Sequence, residues 1–188
     1  NPESDFRIGG YRVLRHVAQG GMGAVYHVEY PDSGKRYAMK LASSNGIEDE
    51  RFLVVHRLLS QLDHPGIIRS LRSGRTEDGR TYQLFPFVGG SPAQVFAKSM
   101  GVPGTPARTT AVITVAIHLA EALSYLHQND VIHRDVKSAN VMVREDRSAC
   151  LIDFGSAISA VINMGEGRQA VMFRIDSGTA IKGLGESN

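Results

Sequence analysis

The sequence predicts an α+β protein, rich in strands at first and in helices later. Three observations carry that expectation. Before residue 88, short runs alternate apolar and polar positions between Gly- and Pro-bearing turns, which is the period of strands. After residue 90, apolar positions recur at helical spacing. Finally, the short apolar runs Val131-Ile132 and Val141-Met142-Val143 flank a polar loop, and a third, 149–152, leads directly into Asp153-Phe154-Gly155. A length of 188 residues allows one domain or two small lobes with a real core. The apolar share of 42% with scattered charge is that of a soluble globular chain, and a net charge of +2 is too small to point to nucleic acid. The single cysteine, Cys150, excludes an intrachain disulfide; inside an apolar run it reads as a buried structural thiol. No apolar run approaches the roughly 20 residues that span a bilayer, and no signal sequence opens the chain, so a cytoplasmic location without a membrane segment is expected. The chain begins at Asn1 rather than Met, as a piece of something longer would.

Residues 1–10 read as a lead-in strand, and residues 11–17 alternate as the next. Ala18-Gln19-Gly20-Gly21-Met22-Gly23 then turns into a strand through Val25. A strand, a glycine turn and a strand let backbone approach phosphates, since no Cβ stands in the way. Pro31-Asp32-Ser33-Gly34 is turn chemistry, and residues 36–41 form a strand bearing Ala38 and Lys40. A helix over 47–62, with Ser44 or Asn45 as cap, places Phe52, Val55, Leu58, Leu59 and Leu62 on its apolar face. Residues 67–73 and 81–85 read as strands around Glu77-Asp78-Gly79-Arg80, and Phe85-Pro86-Phe87-Val88-Gly89-Gly90 as a connecting segment. Ser91 caps a short helix over 92–100 with Pro92 at its first position; 102–108 is a loop. A long helix over 110–127 points Val112, Ala116, Leu119, Leu123 and Leu126 at the core.

The chemistry concentrates in His133-Arg134-Asp135-Val136-Lys137-Ser138-Ala139-Asn140 and in Asp153. Asp135 can accept a proton, Asn140 and Asp153 offer oxygens to a hard divalent cation, and Lys137 can neutralise charge moving between them. That set suits transfer of a phosphoryl group from a metal-bound nucleotide to a hydroxyl. His133 reads as a packing residue beneath the loop rather than the base. Arg134 can hold a phosphate or carboxylate from the loop that follows.

His-Arg-Asp-Val-Lys-Ser-Ala-Asn followed by Asp-Phe-Gly resembles the catalytic and metal-binding loops of the protein kinases. With the glycine loop and the Ala-Met-Lys strand, four motifs stand in the family's order between residues 11 and 186. The glycine loop and His-Arg-Asp-Val-Lys-Ser-Ala-Asn look similar to those of bacterial kinases of the eukaryotic type. The resemblance implies a kinase-like two-lobe fold: a β-rich lobe over 1–88 and a partial helical lobe over 89–188. It implies ATP and Mg²⁺, and a protein substrate with a serine or threonine hydroxyl, since Lys137 two places after Asp135 is the pattern of that class. Asp135, Lys137 and Lys40 would be catalytic, and Asn140 and Asp153 would hold Mg²⁺. The nucleotide would lie against Ala18, Gly20, Gly21, Gly23, Val25 and Ala38, with Lys40 on its phosphates. Phe85 would guard the back of the adenine pocket, Pro86 would offer its carbonyl, and Val88 its N–H.

The sequence also departs from the family. Ala18 replaces the first loop glycine. Counting back from Asp63-His64-Pro65, Val55 stands where kinases carry the glutamate that pairs with the strand lysine; a shifted register gives that role to Glu48 or Glu50. The stretch 156–173 reads as a long loop, Ser177 as a phosphoacceptor by position, Thr179 as a contact of Asp135 and Lys137, and Leu184-Gly185-Glu186 replaces the usual Ala-Pro-Glu. By the resemblance, the family's later helices are not expected within these residues, as in a truncated or a reduced kinase. A serine/threonine protein kinase is the first reading. A pseudokinase that binds nucleotide or scaffolds is the second, and a small-molecule kinase of related fold the third.

Overall fold

The computed structural model of the chain describes residues 6–21, 23–43 and 47–159. Strands β1 (Arg7–Ile8), β2 (Tyr11–Gly20), β3 (Gly23–Glu29) and β4 (Arg36–Ala42) are followed by helix α1 (Ile47–Gln61), then β5 (Arg72–Arg75) and β6 (Thr81–Pro86). The six strands form one antiparallel sheet in the order β1-β2-β3-β4-β6-β5. Pairing sorts the side chains by face, because residues directly opposite one another point the same way. Tyr26, Met39 and Leu84 lie in register across β3, β4 and β6 and join Ile8, Tyr11, Val28, Leu41 and Tyr82 in a small core on one face. The rows Val25–Lys40–Gln83 and His27–Ala38–Phe85 occupy the other. Gly23 is required where β3 meets β4: at φ 134° a Cβ would lie 1.9 Å from the Leu41 carbonyl oxygen.

The chain continues through β7 (Ser91–Pro92), α2 (Ala93–Ser99), α3 (Pro106–Gln128), β8 (Val131–Ile132), β9 (Val141–Val143), β10 (Ala149–Leu151) and β11 (Ile158–Ser159). The small sheets β10-β9-β7 and β11-β8 hold the loops that follow α3. The larger core draws on both sides of Val88: Val55, Leu58, Leu59 and Leu62 of α1 pack with Ile67, Ile68, Ala122, Leu126, Val131, Leu151 and Phe154. Burial of a side chain such as Leu59 contributes about 1.5–3 kcal/mol. Cys150 belongs to this core, as expected of a structural thiol, and burial pushes its pKa up.

Five expectations need correction. The strand expected over 67–73 begins at Arg72, because residues 66–68 are diverted to the strand before Asp153: Leu151 N–H donates to Gly66 O at 2.8 Å and Ile68 N–H to Leu151 O at 3.0 Å. Ser91 caps no helix. It pairs with Val143, and Pro92 is the residue preceding α2. Helix α3 starts at Pro106, whose fixed φ and missing N–H suit the first turn. Its expected core stripe holds in the C-terminal half, where Leu126 is buried and Leu119 and Leu123 pack alongside, but not in the N-terminal half, where Ala111 is buried while Val112 and Ala116 are exposed. Finally, α3 is by length and composition apolar enough to cross a membrane, contrary to the expectation of no such run. That match is weak, since core helices share it, and Ala122 and Leu126 fix the C-terminal half of α3 in the larger core.

Candidate active site

The loop between β8 and β9 builds a compact polar constellation. A short 3-10 turn, Ser138–Asn140, brings Asn140 back beneath Asp135. Asn140 Nδ2 donates to the Asp135 backbone oxygen and to Asp135 Oδ2, both at 2.9 Å. Lys137 Nζ donates to the same Oδ2 at 2.7 Å. The hydrogen bond from Lys137 holds the Asp135 carboxyl below its ordinary pKa, with help from Asn140 and against the nearby Asp153 charge; Lys137 is raised in turn by Asp135. Asp135 is therefore a carboxylate at neutral pH, half-exposed and fixed in direction. With its amide nitrogen committed, Asn140 has its amide oxygen left to serve as a ligand.

His133 lies under this loop and joins it to the next. It is 1% exposed, its Nε2 faces the Ile152 carbonyl oxygen at 3.2 Å, and its Nδ1 accepts from the Asp135 N–H at 3.3 Å. These partners assign the neutral tautomer protonated on Nε2, and burial lowers its pKa. The ring meets Phe154 edge-on at 4.6 Å. Its role is the packing one expected.

Asp153 sits in the left-handed region at φ 59°, as Arg134 does at φ 63°; conformations of this kind in side-chain-bearing residues gather at functional sites. Asp153 Oδ1 accepts from Gly155 N–H at 3.3 Å and from Lys40 Nζ at 2.7 Å. Burial works to raise the Asp153 carboxyl, but the Lys40 ammonium outweighs it and leaves the group below its ordinary value. Oδ2 takes no part in these two bonds. Among the described residues no group of three or more His, Cys, Asp or Glu could hold a metal. One carboxylate and one amide oxygen nevertheless fit Mg²⁺, which keeps waters and takes further oxygens from phosphates.

The sheet presents Ala18, Val25, Ala38, Lys40 and Phe85 on its site face, Ala18 being paired with Val25. Gly20 pairs with Gly23 across the glycine turn; Gly21 has open space where a Cβ would lie. Pro86 closes β6, and Val88 packs on the larger core. Val55 is 6% exposed within that core, so the helix residue at the expected acidic position is apolar and inward. Glu50 is exposed; the Glu48 side chain, Ser44, Asn45, Ser177, Thr179, Glu186 and the stretch beyond 159 lie outside the described residues.

Three contributors were missed in the sequence. His27, buried, stacks on Phe87 with centroids 4.0 Å apart and planes 14° apart, beside Ala38. Alternation from Val25 would have placed His27 on the site face. Gln83 Nε2 donates to the Phe52 carbonyl and ties β6 to α1. Arg51 of α1 donates through Nε to Gly155 O at 2.6 Å. Alternation from Phe85 would likewise have placed Gln83 on that face, but no sequence pattern signals its bond or that of Arg51, since each joins residues far apart in the chain.

Comparison with known proteins adds the following. The protein kinase domain family matches the chain over residues 11–172. The chain is 35% identical over 156 residues to the serine/threonine-protein kinase PknJ of Mycobacterium tuberculosis, covering 79% of this chain and 26% of that protein. It is 34% identical over 164 residues to the serine/threonine-protein kinase pkn2 of Myxococcus xanthus, covering 83% of this chain and 19% of that protein. The chain thus spans about a quarter or less of the length of these curated relatives.

Proposed function

The chain belongs to the protein kinase domain family, and from that premise we propose that it is a serine/threonine kinase, moving the γ-phosphoryl group of ATP to a protein hydroxyl. The observation that carries this reading is the Asp135 carboxylate, directed by Lys137 at 2.7 Å and Asn140 at 2.9 Å, next to an Asp153 held by Lys40. Asp135 orients the substrate hydroxyl and takes its proton as the new P–O bond forms and the bond to the β-phosphate oxygen breaks. Lys137 balances negative charge on the transferring group. Lys40 reaches from the sheet toward the α- and β-phosphates. Asn140 and Asp153 would hold Mg²⁺, which neutralises phosphate charge when bound. Ala18, Val25, Ala38, Phe85 and Val88 line the adenine side, Pro86 offers a carbonyl, and Gly20, Gly21 and Gly23 cover the phosphates.

In this reading residues 1–88 form the nucleotide-holding lobe and 89–188 part of the catalytic lobe, and the protein works in the cytoplasm, where ATP is available. The test is phosphate incorporation from labelled ATP with Mg²⁺ into a generic protein substrate and into the chain itself. Wild type is compared with Asp135→Ala, with nucleotide binding followed on both. Incorporation that vanishes in the variant supports the transferase. Nucleotide binding without incorporation in wild type would favour the binding-only reading, which the apolar Val55 recommends.

A further inference from the structure

We propose that Arg51 is the positioning residue that ties helix α1 to the metal loop, replacing the helix-to-lysine ion pair that Val55 cannot make. The inference rests on the transferase reading above and adds a part to its site. Arg51 and Val55 lie four residues apart, hence on the same side of α1 one turn apart. Val55 is committed to the apolar core. Arg51 instead crosses to the turn Phe154–Ser156, against which α1 packs, and its Nε donates to Gly155 O at 2.6 Å. The bond is charge-assisted on the donor side and stronger than a neutral one.

What Arg51 grips is connected on every side to groups the reaction needs. The Gly155 N–H donates to Asp153 Oδ1, and the same oxygen accepts from Lys40. The adjacent carbonyl, that of Ser156, accepts from Arg134 Nε at 2.7 Å, and Arg134 directly precedes Asp135. Two arginines, one from α1 and one from the catalytic loop, therefore hold neighbouring carbonyls of one turn. Asp153 enters that turn in the left-handed region, so its direction depends on what fixes the residues after it. Because Arg51 takes a backbone oxygen, the Asp153 carboxylate stays available to Lys40 and to a cation. A glutamate on α1 would draw Lys40 to the helix; here Lys40 is directed by Asp153, and Arg51 sets the distance from α1 to that pair.

The experiment compares the whole chain with Arg51→Met, Arg51→Gln and Arg51→Lys for unfolding midpoint, kcat and KM for Mg²⁺–ATP, and amide hydrogen exchange over residues 153–157. Arg51→Met, which keeps the apolar stem, is expected to lower kcat by roughly tenfold or more, as a small misplacement of reacting groups does. KM should stay nearly unchanged, with faster exchange in the loop and an unfolding midpoint near that of wild type. Arg51→Lys should recover part of kcat, since an ammonium can still donate to Gly155 O. Should Arg51→Met fail to fold, Arg51→Gln makes the same comparison with a polar side chain. Wild-type kcat and wild-type loop exchange in the folded Met or Gln variant would overturn the proposal. If wild type transfers no phosphate, the transferase reading fails, and loop exchange alone decides on Arg51: faster exchange supports the tether, unchanged exchange overturns it.

Discussion

The two ends of the site are built on different principles. Around Asp135 each hydrogen-bonding partner is local: Lys137 is two residues away and Asn140 five, and a single 3-10 turn closes the set. Around Lys40 nothing is local. Its partner Asp153 is 113 residues distant in sequence, and the helix that packs beside it supplies an apolar Val55 inward and an arginine to the turn after Asp153. A constellation closed within one loop survives as a spacing pattern. One assembled from a strand, a helix and a turn depends on how those elements pack, so its parts can be exchanged while the geometry is kept.

The sharpest way to break the local end is Asp135→Ala. Transfer should fall by roughly 10²–10⁴-fold, the share of a positioned proton acceptor, with nucleotide affinity nearly intact in a binding titration. At the assembled end Asp153→Ala should weaken binding and transfer together, and the affinity loss should depend on Mg²⁺. A double-mutant cycle of Lys40→Met and Asp153→Asn, read in nucleotide affinity, should give a coupling of roughly 0.5–3 kcal/mol; additive effects would mean that the observed pair does not act as a unit. A subtler shift separates the ends by pH. The Lys137 hydrogen bond keeps Asp135 ionised below the ordinary aspartate range, so Lys137→Met should move the acid limb of the kcat profile upward. Smallest is the effect of His27. Burial, with Arg15 and Arg36 nearby, lowers its pKa below the ordinary 6.5, and Glu29 opposes them. The unfolded chain then binds the proton first as pH falls, so His27 adds stability above pH 6.5 that is lost progressively below it. His27→Phe should keep the stack on Phe87 and flatten that part of the stability profile in chemical denaturation, leaving the similar contributions of His56 and His133.

How much could be read in advance follows the same division. Asp135, Lys137, Asn140 and Asp153 were legible because their order is set by one loop and the run after it. Ala18, Val25, Ala38, Lys40 and Phe85 were placed on one side by resemblance, and strand pairing puts them on one face. The boundaries missed were those set by partners far along the chain: residues 67 and 68 left their expected strand for Leu151, and Ser91 exchanged a cap for Val143. On α3 periodicity found Leu119, Leu123 and Leu126 but misplaced the first two turns, because apolar residues there nearly encircle the helix. Arg51 was passed over as one more charge on a helix; only the folded chain brings Gly155 within its reach.

The short parallel bridge between Ile67 and Leu151 bears on any attempt to divide the molecule. Cutting after Val88, where the connecting segment invites a break, would strip β10 of its bonds to Gly66 and Ile68 and leave it a naked edge. The first fragment would carry away the apolar face of α1 without its cover. Each half would then present the unpaired backbone and greasy surface that drive aggregation, and co-expression of both, rather than either alone, is the route by which a split version could remain soluble.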